Sequence, residues 1–226
     1  MLGLMFGFVY LVLFSPLFRV RSIAVRGNQQ LTTEELKKQT QAILSASFLG
    51  NNSLFVSPDE VGKRLKADNY QLESIRVERR LLGGLLITVS EQRATLQWRS
   101  GSLVFVLSGN GKAYAQLDTL DKGLPVVEDS TNLPVKIGQK VVPSSFVAFV
   151  RDVDPALALL GLQATNKSVA ETTTELYVTT SKGYVIKLDT TRSLESQMSD
   201  LKAVLAKKIN PSEYVDLRIA GRVFYR

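Results

Sequence analysis

An α+β chain with two folded parts behind an apolar N-terminal segment is predicted by three observations. The first 18 residues carry no charged side chain, although the chain holds 28 Lys and Arg and 21 Asp and Glu. From Arg19 the hydrophobic period runs as 2, then 3.6 twice, then 2 twice, which predicts a β-α-α-β-β unit. Beyond Arg93, short period-2 runs joined by Gly- and Ser-containing turns dominate, with two helical segments between them. The expected organisation is a transmembrane helix over 1–18, a β-α-α-β-β domain over 19–93, and a mainly antiparallel β domain with flanking helices over 94–226.

The run MLGLMFGFVYLVLFSPLF spans roughly 27 Å as a helix, slightly short of a hydrocarbon core of about 30 Å. It lacks the amphipathic period of a core helix. It also lacks the basic n-region and small-residue cleavage pattern of a signal peptide. A single uncleaved span is the reading that fits, ending near Pro16, which has no backbone donor to offer. Arg19, Arg21 and Arg26 follow the span, and the positive-inside rule taken alone would place the folded bulk in the cytoplasm.

In the first domain, Ile23 and Val25 alternate with polar residues before Gly27-Asn28, predicting a strand over 21–26. Thr32 and Glu35 form a capping box for a helix that carries Leu36 and Ile43. Ser57, Pro58 and Glu60 start a second helix, with Val61 and Leu65 at helical spacing. Ile75 and Val77, then Leu85, Ile87 and Val89, alternate with other residues on either side of Gly83-Gly84, which predicts a hairpin. Two helices on one face of three strands would bury that face and leave the other open to partners.

In the second domain, Thr95–Arg99, Leu103–Leu107 and Lys112–Gln116 predict an antiparallel meander. Gly109-x-Gly111-Lys112 has the wrong spacing for a phosphate loop and stands between strands. Residues 118–143, with three of the seven prolines, are expected to be an extended connection. Residues 145–160 are expected to be helical with an interruption at Pro155. Leu176–Thr180 and Tyr184–Leu188 pair around Ser181-Lys182-Gly183. Leu194, Met198, Leu201 and Leu205 give a helix with one apolar stripe, expected to face the core, ending at Lys207-Lys208 before Pro211. In the final run YVDLRIAGRVFYR, Asp216 and Arg218 are expected to form a solvated pair.

Composition narrows the chemistry. The chain has no Cys and no His, so disulfides, thiolate and imidazole metal sites, and Ser-His or Cys-His catalytic pairs are excluded. No catalytic residue, cofactor or metal is expected. The net charge is +7. Residues 19–99 hold 13 basic and 8 acidic side chains against 15 and 13 in the remainder, so most of the excess lies near the span. Basic and acidic residues are interspersed and no recognition motif is present, so no nucleic-acid partner is expected; nor is a small-molecule substrate.

The strand of V-x-x-I-x-V-x-G type (Val20, Ile23, Val25, Gly27), the two capped helices, and the pair ESIRVERR and LLITVSEQR resemble the polypeptide-transport-associated (POTRA) domain of the FtsQ/DivIB bacterial cell-division family. Val89, Glu91 and Arg93 resemble the end of the family's last POTRA strand, with Gln92 inserted. The hairpin SKGYVIKL, the striped helix and V-D-L-R (Val215 to Arg218) before a short aromatic strand resemble the family's β domain in the same order. Gly83-Gly84 departs from the family's frequent proline-containing turn, and the usual cytoplasmic tail before the span is absent from these residues.

The resemblance implies a single-pass protein of the cytoplasmic membrane with its folded domains outside, enriched at the division septum. It further implies a scaffold that holds FtsB or DivIC and FtsL and thereby regulates septal peptidoglycan synthesis. It places the partner-binding surface at the last strand, on Val223, Phe224 and Tyr225, where an edge strand would accept a partner strand by β-augmentation. Arg19, Arg21 and Arg26 are expected to meet anionic head groups. The competing enzymatic reading is a membrane-tethered Ser/Lys hydrolase of signal-peptidase type; the Ser-Met-x-Pro stretch it would need is missing, and Ser57-Pro58 reads as a helix cap.

Overall fold

The computed structural model describes residues 10, 12–13, 15–47, 49–81, 83–207 and 209–226. The chain divides into two compact units, Met1–Gln92 and Arg93–Arg226, each with its own hydrophobic core. Most of the apolar run expected to form a transmembrane helix lies outside the described residues, as does Lys208. Among the described residues no helix is long and apolar enough to cross a membrane.

The first unit contains β1 (Ser22–Arg26), α1 (Thr33–Ser45), α2 (Pro58–Asp68), β2 (Leu72–Arg80) and β3 (Gly84–Glu91). Both helix starts are fixed by the predicted caps: Thr32 Oγ1 accepts the Glu35 N–H at 3.2 Å, and Ser57 Oγ accepts the Glu60 N–H at 3.4 Å. The sheet order is β1-β3-β2, with β1 parallel and β2 antiparallel to the central β3. Leu85, Ile87 and Val89 of β3 pack under Leu36, Leu44, Val61 and Leu65 of the helices. The opposite face is not bare. Leu86 is only 6% exposed on it, in register with Ala24 and with Glu78, whose carboxylate lies 3.9 Å from both Arg76 and Arg80.

The second unit is built on β4 (Ala94–Ser100), β5 (Leu103–Ser108), β6 (Ala113–Leu117), β7 (Val126–Asp129), α3 (Ser144–Ala158), β8 (Ala164–Val169), β9 (Glu175–Thr180), β10 (Val185–Asp189), α4 (Leu194–Ala206), β11 (Tyr214–Asp216) and β12 (Phe224–Tyr225). One nine-stranded sheet runs β12-β11-β10-β9-β8-β7-β4-β5-β6. The predicted meander and hairpin are present as β4-β5-β6 and β9-β10. The stripe of α4 packs on the core, with Met198 and Leu201 buried and Leu194 and Leu205 partly so.

Two expectations are corrected here. The sheet itself is mainly antiparallel as expected, although β4–β7, β7–β8 and β10–β11 pair in parallel. Each parallel step needs a long return, and α4 provides the one between β10 and β11. The stretch 118–143 is not only a connection, since it contains β7, a four-residue strand too short to show its period. Its position is fixed by fully buried Gln97, whose amide donates to the carbonyls of Asp121 and Leu124 and accepts the Asp121 N–H at 2.7 Å.

The helix α3 also runs unbroken through Pro155. The proline falls in the last turn, where the bond it removes would have ended on the carbonyl of exposed Arg151. The Gly109-x-Gly111-Lys112 segment is the β5–β6 turn. Gly111 has φ +79°, and a Cβ there would lie 1.9 Å from the Val142 carbonyl oxygen. Its glycine serves backbone packing.

Candidate protein-interaction edge

Among the described residues, the strand β12 is an outer strand of the nine-stranded sheet and pairs with β11 alone. Its geometry follows from one pair. Tyr214 N donates to Arg226 O at 3.3 Å and Arg226 N donates to Tyr214 O at 3.1 Å, so Tyr214 and Arg226 are a hydrogen-bonded pair. In an antiparallel ladder such pairs alternate with non-bonded ones. Tyr225, opposite Val215, therefore turns its own N–H and C=O away from β11, toward the open edge.

The two aromatic side chains of β12 leave on opposite faces. Tyr225 lies opposite buried Val215, on the core side, and Phe224 opposite Asp216, on the other. They are 49% and 47% exposed. Val223 has a different environment, partly buried and packed against the core of its own unit. Of the three residues expected to bind a partner, two thus present open side chains and one helps seat the strand.

The face beside Phe224 is held by a charged network. Arg218 is forked onto Asp216, with Nε to Oδ1 at 2.9 Å and Nη2 to Oδ2 at 2.6 Å, while Nη1 reaches Glu175 Oε2 at 2.7 Å. Tyr177 Oη donates to the same Glu175 oxygen at 2.6 Å. The solvated pair expected from the sequence is therefore corrected: the Asp216 side chain is only 14% exposed, because β9 brings a second carboxylate across β10 to share the guanidinium. Burial pushes the Asp216 carboxyl up, but the Arg218 bonds outweigh it and hold the group below its usual range. The Lys187 ammonium sits 4.2 Å from the centre of the Tyr214 ring on the same sheet region. Spacing in the sequence displayed Asp216-x-Arg218, but Glu175 and Tyr177 carried no local sign of joining it.

The other outer strand, β6, is occupied at its start. Ala113 N donates to Gln139 O and Gly138 N donates to Ala113 O, at 2.9 and 2.7 Å.

In the first unit, the basic residues predicted to face the membrane are not one cluster. Arg19 and Arg21 stand at the entry to β1, both exposed, with Arg21 Nη2 donating to Pro16 O at 3.0 Å. Arg26 is at the far end of β1, about 13 Å along the strand at 3.3 Å per residue. There the chain turns at Gly27, with φ +85° and a hypothetical Cβ only 2.1 Å from Val89 O. The loop that follows is tied by Glu91, whose carboxylate accepts the N–H groups of Gln29, Gln30 and Leu31 at 2.8, 2.7 and 3.1 Å. Desolvation raises the Glu91 pKa, and these three bonds more than reverse it, leaving the group below the usual carboxylate range.

This β-α-α-β-β unit matches, over residues 18–92, the family model described as the POTRA domain, FtsQ-type. Residues 18–92 are an FtsQ-type POTRA domain. The motif glycine and glutamate of this POTRA domain, Gly27 and Glu91, acquire physical roles as the turn and the clamp behind β1. Among solved structures, the chain is similar to the major extracytoplasmic domain of the trans isomer of the cell-division protein DivIB from Geobacillus stearothermophilus. The identity is 18% and the TM-score 0.32, over 54% of this chain and 99% of that one. No curated protein matches.

Proposed function

We propose that the protein is a membrane-tethered scaffold of bacterial cell division that binds FtsB or DivIC, and through it FtsL, by β-augmentation at β12, and so regulates septal peptidoglycan synthesis. The observation that carries this reading is an open outer strand with outward-facing Tyr225 backbone groups, flanked by half-exposed Phe224 and Tyr225. Backbone bonds at such an edge supply affinity, and side chains on alternate faces supply specificity. Phe224 and Tyr225 make the contacts, and Val223 fixes the strand against its own core. The role is one of binding and needs no catalyst. The run 1–18 is a single span of the cytoplasmic membrane, the folded units lie outside the cytoplasm, and the protein concentrates at the septum.

The test is capture of the FtsB-like partner by the chain with Phe224→Lys and Tyr225→Lys. Loss of capture with an unchanged unfolding midpoint is the expected result, and undiminished capture overturns the reading. Protease protection of Arg226 in spheroplasts tests the topology, with digestion from outside expected and protection refuting it. Exposed Arg19 and Arg21 meet anionic head groups, each contributing about 1 kcal/mol, with Arg26 further from that end of the strand. Binding to anionic vesicles is expected to weaken as salt rises.

A further inference from the structure

The POTRA domain carries a loop whose exposed side chains have no role in its core. Between α1 and α2, Leu54 and Phe55 are 48% and 49% exposed. They are displayed between two buried residues, Asn52 at 5% and Val56 at 2%. The turn is closed by the N–H groups of Phe55 and Val56, both donating to Asn52 O at 2.9 and 3.0 Å. An adjacent Leu and Phe held outward by a closed turn are an apolar tip that gains nothing from water.

The tip's position is fixed by what Asn52 holds. Its side-chain Nδ2 donates to Val12 O at 2.9 Å and to Leu13 O at 3.1 Å. Val12 and Leu13 are helical, and Pro16 has no N–H to give to the carbonyl four residues before it, so Val12 O lacks its α-helical donor and accepts from Asn52. The backbone continues the attachment. Ser53 N donates to Phe18 O at 2.6 Å, Val20 N donates to Asn51 O at 2.8 Å, and Arg19 and Asn52 form an antiparallel bridge. The loop is therefore stitched to the end of the uncharged run, beside Arg19 and Arg21.

We propose that Leu54 and Phe55 insert into the interfacial layer of the bilayer and that Asn52 positions them there, so that the POTRA domain rests on the membrane at two points, the span and this tip. This rests on the reading of residues 1–18 as a span. The occupant is lipid because the tip is continuous with the apolar run, and because its polar attachments go to the carbonyls at the run's end. An apolar pair beside arginines has the composition of an interfacial anchor, with the cations at head-group level.

Since the chain has no cysteine, Leu54→Cys and Phe55→Cys can each be labelled singly with an environment-sensitive fluorophore. Gln30→Cys, exposed beyond the opposite end of β1, is the comparison. The full chain is reconstituted in phosphatidylcholine/phosphatidylglycerol vesicles. Labels at 54 and 55 are expected to be quenched by lipids bearing a nitroxide near the head group, and to lose about threefold or more of their iodide quenching relative to position 30, as shallow insertion implies.

Asn52→Ala is expected to return iodide access at position 54 while circular dichroism stays unchanged. Iodide quenching equal to that at position 30, in a chain that resists alkaline carbonate extraction, overturns the tip and leaves the span standing. A chain that carbonate extracts removes the span reading and the tip with it. Labels shielded from iodide yet untouched by lipid nitroxide would mean that protein covers the tip, and overturn the proposal. An unaltered label depth in Asn52→Ala would remove Asn52 from it.

Discussion

Glu91 illustrates how one side chain fixes a loop at a distance in sequence. Its carboxylate gathers three N–H groups about 60 residues upstream, so Glu91→Gln exchanges an all-acceptor group for one that brings two donors toward donors. The expected loss is about 1–3 kcal/mol of stability in the first unit, measured by urea unfolding. Its pH dependence has a defined sign. The folded pKa lies below the unfolded value of about 4.3, so folding favours the charged form. The contribution is complete above that value and is lost as pH falls through the folded pKa. Glu91→Gln is expected to flatten the acid limb of the stability curve, and an unchanged acid limb would show that another carboxylate governs it. The sequence displayed Glu91 inside a motif, but the three donors lie behind Gly27, and only folding brings them to it.

Among the elements, β12 depends on the network next to it. Arg218 joins Asp216 to Glu175, two carboxylates on strands separated by β10. Arg218→Met leaves both without their cation, and a loss of about 1–3 kcal/mol is expected in the second unit. Faster amide exchange in β11 and β12 than in β5 would accompany it, and equal protection of those strands would contradict this role. The helices α1, α2 and α4 were legible from caps or an apolar stripe because these are local, within three or four residues. The strand β7 was not, since four residues hold too few periods, and its place comes from buried Gln97 on a strand far from it in sequence. In α4, fully buried Gln197 was equally hidden: it reads as a polar residue beside the stripe, yet it bonds both backbone groups of Asp189 at 2.8 and 2.9 Å.

At the scale of the whole molecule, two units with separate cores predict separable unfolding. Trp98 is the chain's one tryptophan and is 3% exposed in the second core, edge-on to Phe146 at 6.2 Å. Its fluorescence therefore reports on residues 93–226, whereas circular dichroism reports on both units. Glu91→Gln is expected to move an early dichroism transition and leave the Trp98 midpoint in place. A common shift of both signals would mean that the chain unfolds as one cooperative unit.

The sequence by itself determined the β-α-α-β-β order, both helix caps, the meander and hairpin of the second unit, and the absence of Cys and His. Periodicity, capping and composition are all written within short windows of chain. Tertiary structure alone decided the parallel pairings, the outward turn of Tyr225 at an open edge, the inward packing of Val223, the Glu175 partner of Arg218, and the partners of Glu91 and Asn52. Each of these joins groups far apart along the chain. Such contacts form only when burial makes an unpaired charge or carbonyl costly enough to select one partner.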